Sequence, residues 1–154
     1  MPAPYDGGCL CGAIRYRLGA EPLSLYACHC RDCQRLTGSA FGLSMVVPRD
    51  ALATLRGEPA AYDVAMPDGR RKQGRFCGAC STRLWGEPAR FPQVRILRPG
   101  TLDDTSWLRP VGSLWTRSAQ PWVPISAGPS DHAEQPEDPL AMIRAWQARA
   151  QQQQ

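Results

Sequence analysis

From Ile14 to Leu18, in the stretch Ala-Ile-Arg-Tyr-Arg-Leu, apolar and charged positions alternate strictly. A period of two places Ile14, Tyr16 and Leu18 on one face of a strand and Arg15 and Arg17 on the other, so this segment is expected to be a half-buried strand. Similar strands are expected at 23–27 (LSLYA), 41–47 (FGLSMVV), 71–76 (RKQGRF), 93–97 (QVRIL) and 113–117 (SLWTR). Gly and Pro punctuate the gaps between them, in LGAEP, MPDG, GEPARFP and LRPG. That punctuation argues for turns, and hence for a mainly β fold of antiparallel sheets.

Two segments carry helical signals. A short helix is expected through RDCQRLT, stopped by Gly38, and a second near the C-terminus, where Leu140, Ile143 and Trp146 or Gln147 follow a helical spacing. Between the strands and that last helix lies SAGPSDHAEQPEDP, a Pro-rich surface loop or linker. The expected division is therefore one domain over 1–126, followed by the loop and C-terminal helix over 127–154, with the four closing glutamines frayed.

Composition narrows the class of protein. A chain of 154 residues fits one domain with a real core, and 43% hydrophobic with 21% charged residues is ordinary for a globular protein. No apolar run approaches the roughly 20 residues of a membrane span. The opening MPAPYDGGCLCG lacks the basic start and apolar centre of a secretory signal, so the expected compartment is the cytoplasm. In that reducing setting seven cysteines read as metal ligands or nucleophiles rather than bridges, and an odd number cannot all pair within the chain. Metal also changes the meaning of the formal charge of +4, because thiolates bound to two divalent ions would cancel most of it.

The cysteines fall into Cys9-x-Cys11, Cys28-x-Cys30-x-x-Cys33 and Cys77-x-x-Cys80. Two sulfurs at i and i+2 of an extended segment share a side, and a CxxC turn relieved by Gly78 converges two more. Joined, Cys9, Cys11, Cys77 and Cys80 make a closed four-thiolate site of structural type. In CHCRDC, Cys28 and Cys30 share one side while His29 points away, and a turn through Arg31 and Asp32 brings Cys33 round. Three protein ligands leave the fourth position of a tetrahedral ion for water or substrate, the mark of a catalytic site. A fourth protein ligand from His29, His132, Asp32 or a distant carboxylate is the competing reading. Arg31 and Arg35 are candidate receptors for substrate carboxylates, with solvated surface charge as the alternative. Trp85, Trp115 and Trp122 are candidates for a cleft wall or for core packing.

GGCLCGAIRY, CHCRDCQRLTGSAFG, FCGACSTRLW and LRPGTLDD together resemble the glutathione-dependent formaldehyde-activating enzyme family, which also includes the centromere protein V domain. The likeness runs from about Gly7 to about Trp122. It implies a zinc-stapled β-tent fold and two Zn²⁺ ions. Cys9, Cys11, Cys77 and Cys80 would hold the structural zinc. Cys28, Cys30 and Cys33 would hold the second, the place where a thiol such as glutathione is activated. The implied chemistry is that of a carbon–sulfur lyase, joining a thiol to a small carbonyl such as formaldehyde, with a thiol and an aldehyde adduct as the small-molecule partners. One departure is Ser81, where the family pattern after CxxC usually has glycine.

A non-enzymatic zinc module that binds a protein or nucleic acid is the alternative class. Arg70, Arg71, Lys72 and Arg75, with Arg83 nearby, favour it. The absence of interleaved aromatics in that run makes a nucleic-acid partner the weaker expectation, and a solvated strand edge the ordinary explanation.

Overall fold

The computed structural model describes residues 2–152. Among these the chain forms ten strands and two α-helices: β1 (Tyr5–Gly8), β2 (Arg15–Leu18), β3 (Ser24–Cys28), α1 (Arg31–Thr37), β4 (Gly42–Pro48), β5 (Leu52–Arg56), β6 (Ala60–Ala65), β7 (Arg71–Phe76), β8 (Arg83–Gly86), β9 (Val94–Leu97), β10 (Ser113–Leu114) and α2 (Ala141–Gln152). The mainly β expectation holds. The contacts divide the chain into two compact units, one of residues up to Pro22 with Val46–Trp107, the other of Leu23–Met45 with the residues from Leu108 onward.

The first unit contains a three-stranded antiparallel sheet in the order β1-β2-β5 and an antiparallel run β9-β8-β7-β6. The alternation read in β2 is realised: Ile14, Tyr16 and Leu18 are buried, Arg15 is half-buried and Arg17 exposed. Register explains a glycine here. Gly7 lies opposite Tyr16, and a Cβ at residue 7 would sit 2.4 Å from the phenol oxygen, which instead bonds the Thr101 hydroxyl at 2.7 Å. Tyr16 also meets Trp85 edge-on, with ring centroids 6.2 Å apart. Leu18, Val47, Leu84 and Leu97 complete this fully buried core.

In the second unit β10 pairs with β3 in parallel, Ser113 opposite Ala27 and Leu114 opposite Cys28, a departure from the all-antiparallel expectation. Cys28, Leu114 and Met142 form one buried cluster in it, with Tyr26, Cys30, Cys33, Val111 and Trp115 packed around them. Helix α2 is anchored on β3 by Met142, whose carbonyl accepts a buried hydrogen bond from the Ser24 hydroxyl at 2.8 Å. Burial of a methionine contributes on the order of 2 kcal/mol, and Ile143 and Trp146 on the same helix are half-buried beside it. The anchor differs from the expected spacing: Leu140 precedes the helix and is exposed. The helix continues through Gln151 and Gln152, so the first two of the closing glutamines are helical rather than frayed; the last two lie outside the described residues.

The expected strand over 113–117 ends after Leu114. Trp115 adopts φ 59°, in the left-handed region, and a 3-10 turn follows over Thr116–Ser118. A left-handed residue reverses the pleat, so pairing stops there. The following loop is organised by Asp131, whose carboxylate accepts from the Ser113 N–H (2.7 Å), the Ser126 hydroxyl (2.6 Å) and the Gly128 N–H (3.0 Å). Partial burial pushes this carboxyl up, but the hydrogen bonds outweigh it and hold it below the usual carboxylate range. A group depressed on folding contributes stability above its unfolded value and loses it as pH falls through its folded value. Urea melts should therefore show Asp131→Asn less stable than wild type at pH 7, with the difference closing below about pH 4. A difference independent of pH would contradict this role.

Candidate functional site

Both cysteine clusters form, each within a single unit. In the first, the chain leaving β1 turns at Cys9–Gly12, where the Gly12 N–H donates to the Cys9 carbonyl (3.0 Å) and Gly12 takes φ 76°. The Ile14 N–H donates to Cys9 Sγ at 3.2 Å. After β7 a second turn is closed by the Ser81 N–H on the Cys77 carbonyl (2.8 Å) and the Cys77 N–H on the Thr82 carbonyl (2.9 Å). The four sulfurs of Cys9, Cys11, Cys77 and Cys80 come within 4.8 Å of one another. Cys9 to Cys11 is 3.6 Å and Cys11 to Cys77 is 3.8 Å. Those spacings fit one tetrahedral ion, because two thiolates each at about 2.3 Å from zinc are about 3.8 Å apart. They are far from the roughly 2.05 Å of a disulfide.

The thiols at this cluster are unequally disposed to ionise. The Thr82 hydroxyl lies 3.2 Å from Cys80 Sγ, and the Thr82 side chain and backbone hydrogen bonds bring the Cys80 thiol down to about 5. At Cys11 the Ala13 N–H lowers the thiol, but Cys9 and Cys80 outweigh it and push the group up to about 11. Cys11 thus stays protonated where Cys80 ionises, and a divalent cation would let both bind as thiolates. Thr82 also accepts the Leu10 N–H at 3.1 Å, joining the two turns. Nothing in the sequence reading singled out this residue.

Ser81 carries φ 65°. The departure from glycine noted in the sequence therefore falls on a left-handed residue. A non-glycine residue there costs roughly 1–2 kcal/mol, offset in part by the greater unfolded freedom of glycine. Ser81→Gly should raise unfolding free energy by about 0.5–1 kcal/mol, read from chemical denaturation; an unchanged or lower value would contradict the strain.

In the second unit, β3 delivers Cys28, which is buried, and Cys30 becomes the N-cap of α1, with its Sγ accepting the Cys33 N–H at 3.3 Å. The turn predicted through Arg31 and Asp32 is thus the first turn of the helix, and Gly38 at φ 63° ends it. The sulfurs of Cys28, Cys30 and Cys33 lie within 4.8 Å of one another, and among the described residues no His, Asp or Glu atom joins them. Hydrogen bonds to Cys30 and Cys33, with burial, raise the Cys28 thiol strongly, so this cluster also calls for a compensating cation.

The candidates for a fourth ligand are elsewhere. His29 is 1% exposed, its ring against Phe41 at 5.2 Å, and burial lowers its pKa, keeping it neutral. His132 bridges to Leu114, and neither it nor Asp32 belongs to the cluster.

Helix α1 places Arg31 and Arg35 along a groove of about 410 Å³ that Gln34, Ser39, Gln120 and Trp122 also line. The cysteines do not line it; the groove runs beside them along the same helix. Of the three tryptophans weighed for a cleft wall, Trp122 lines this groove and is 71% exposed, whereas Trp85 is buried in the first unit and Trp115 packs on the Cys28 core. Gln34 and Gln120 were not anticipated. The i,i+4 spacing of Cys30 and Gln34 is the signal that puts Gln34 on the inward face of the helix.

The basic run is largely paired. Arg70 meets Asp68 (2.6 Å), Arg71 meets Asp63 (2.7 Å), Arg75 meets Glu87 (3.4 Å), and Arg83 stacks on the Tyr62 ring at 4.7 Å. Such a surface is a poor match for a polyanion, whose binding relies on uncompensated cations. Among the described residues no helix is long and apolar enough to cross a membrane.

The model of the glutathione-dependent formaldehyde-activating enzyme family matches residues 4–118, a span that includes both clusters. The chain belongs to this family. A relative from Halomonas elongata, which carries the name glutathione-dependent formaldehyde-activating enzyme as a provisional one, is 27% identical over 153 residues, covering 94% of each chain. The crystal structure of a Rhodobacter sphaeroides protein is similar in fold, with a TM-score of 0.53 at 19% identity, covering 66% of this chain and 90% of that one.

Proposed function

We propose that the chain is a zinc-dependent carbon–sulfur lyase that reversibly adds a thiol, with glutathione as the leading candidate, to formaldehyde. The observation that carries this reading is the contrast between the clusters: four cysteines converge in one, and in the other Cys28, Cys30 and Cys33 converge without a fourth protein donor among the described residues. Cys9, Cys11, Cys77 and Cys80 would hold a structural zinc. Cys28, Cys30 and Cys33 would hold a second, whose positive charge favours a bound thiol as its thiolate, a nucleophile near neutral pH.

The chain's own residues bind and orient. Arg31 and Arg35 present guanidinium groups along the groove, where each can take a carboxylate of the thiol in a charge-assisted hydrogen bond. Arg31 is held in direction by its bond to Gln34 Oε1 at 2.6 Å. The thiol sulfur bonds to the carbonyl carbon, and the proton the thiol has given up ends on the former carbonyl oxygen, giving S-hydroxymethylglutathione; elimination runs the same steps backward. Holding sulfur and carbonyl together turns a bimolecular encounter into an internal one. A reducing compartment such as the cytoplasm suits this reading, because both clusters must stay as thiols.

The test follows formaldehyde loss with purified protein, with and without glutathione. Acceleration is expected only when protein and thiol are both present. Arg35→Ala should raise the glutathione KM about tenfold with little change in kcat, the signature of lost substrate binding. No acceleration by wild-type protein would overturn the reading, and an unchanged KM would remove Arg35 from it.

A further inference from the structure

We propose that Gln34 is a positioning residue that sets how the groove receives a carboxylated thiol, acting through Arg31 on one side and through Gln120 and Trp122 on the other. The inference rests on the groove being the docking surface of the thiol, as read above.

Gln34 is 5% exposed and follows Cys33 directly on α1. Its Nε2 donates to two backbone carbonyls, His29 at 2.8 Å and Ser118 at 2.9 Å. With both N–H groups so used, the amide has one orientation, since the flipped form would set its oxygen against two carbonyl oxygens. Oε1 therefore faces the groove, where it accepts from Arg31 at 2.6 Å and from Gln120 Nε2 at 3.3 Å. The choice propagates. Gln120, with its nitrogen toward Gln34, turns its oxygen to the Trp122 indole N–H at 2.7 Å. All of the hydrogen-bonding capacity of Gln34 is taken up, and a satisfied buried amide is a rigid junction.

Three chain segments meet at this one side chain: the backbone of the Cys28–Cys30 segment through the His29 carbonyl, helix α1 through Arg31, and residues 118–122. The guanidinium is thereby fixed relative to the sulfurs, and the exposed Trp122 ring lines the same groove. A ligand suited to this arrangement carries a carboxylate for Arg31 and an amide or methylene portion to lie on the indole face. Peptide-like thiols have both features; small uncharged thiols such as 2-mercaptoethanol have neither the carboxylate nor the amide. Gln34 thus bears on the choice of thiol rather than on the carbon–sulfur step itself.

The test compares glutathione with 2-mercaptoethanol as the thiol, and measures S-methylglutathione binding by calorimetry, a readout that needs neither a free thiol nor turnover. Gln34→Met keeps the bulk and removes the hydrogen bonds. It should retain the wild-type zinc content, bind S-methylglutathione about tenfold more weakly, and lose about tenfold of the kcat/KM preference for glutathione over 2-mercaptoethanol. In an Arg31→Gln background the same substitution should cost about threefold rather than tenfold, the part carried by Gln120 and Trp122, since residues that act as a unit are not additive. Equal losses with both thiols, or full additivity with Arg31→Gln, would assign Gln34 a purely structural role and overturn the proposal. If Gln34→Met does not fold, Gln120→Met leaves both carbonyl bonds intact and should weaken S-methylglutathione about threefold; unchanged affinity overturns the proposal. Wild-type protein that binds S-methylglutathione without consuming formaldehyde would remove the reaction proposed above while supporting this inference. Wild-type protein that does not bind it would overturn the inference itself.

Discussion

Cys30→Ser is expected to fold, to keep one zinc per chain instead of two, and to lose glutathione-dependent formaldehyde turnover by at least about a hundredfold, as befits loss of a group that touches the reacting atoms. The fold should survive because Cys30 has two separable roles. As N-cap of α1 it accepts the Cys33 N–H, and serine is among the best residues at that position. As one of three converging sulfurs it supplies a soft donor that a hydroxyl does not replace. The substitution therefore spares the helix and removes the donor. Zinc by mass spectrometry, circular dichroism and the formaldehyde assay on one preparation separate the outcomes. Normal turnover in a folded variant that has lost a zinc would sink the mechanism.

Removing the other ion should act on stability instead. Cys77 is 1% exposed and its sulfur lies 3.8 Å from that of Cys11, so Cys77→Ser places a hydroxyl inside a cluster that ties the turn after β1 to the turn after β7. Structural zinc sites contribute on the order of 10 kcal/mol of folding free energy at neutral pH, since the site does not exist in the unfolded chain. A loss of about 5 kcal/mol or more is expected, which lowers the thermal midpoint of a chain of this size by at least about 10 °C. A strong chelator should have the same effect on wild type, and excess zinc should reverse it. Scanning calorimetry showing the same midpoint with and without the metal would contradict a structural role for these four cysteines.

Wherever local pattern dictated structure, the sequence disclosed it. The period-two alternation of β2 and the capped turn of α1 were legible because one buried face or one helix end is specified by residues close in sequence. The cysteine spacings were legible as ligand sets, although Cys9 and Cys11 meet across the turn Cys9–Gly12 rather than along the extended segment expected. Strands β5 and β6 escaped because they are mostly exposed and carry no apolar stripe, and β1 because half of it is glycine. The end of β10 at Trp115 depends on a backbone conformation that a tryptophan seldom adopts, which no local rule anticipates. At the site, Thr82 and Gln120 act through partners distant in sequence, and the burial of Gln34 depends on Ser118 and His29 closing over it. Side chains of that kind are fixed by tertiary packing.

The central claim is that one zinc is closed by four protein sulfurs and the other by three, the fourth position going to the thiol substrate. X-ray absorption at the zinc edge of the two-zinc protein, before and after glutathione, tests it directly. The expected average is about 3.5 sulfurs per zinc, rising to about 4 when glutathione is added. Four sulfurs per zinc at the outset, or a count that glutathione leaves unchanged, would contradict it.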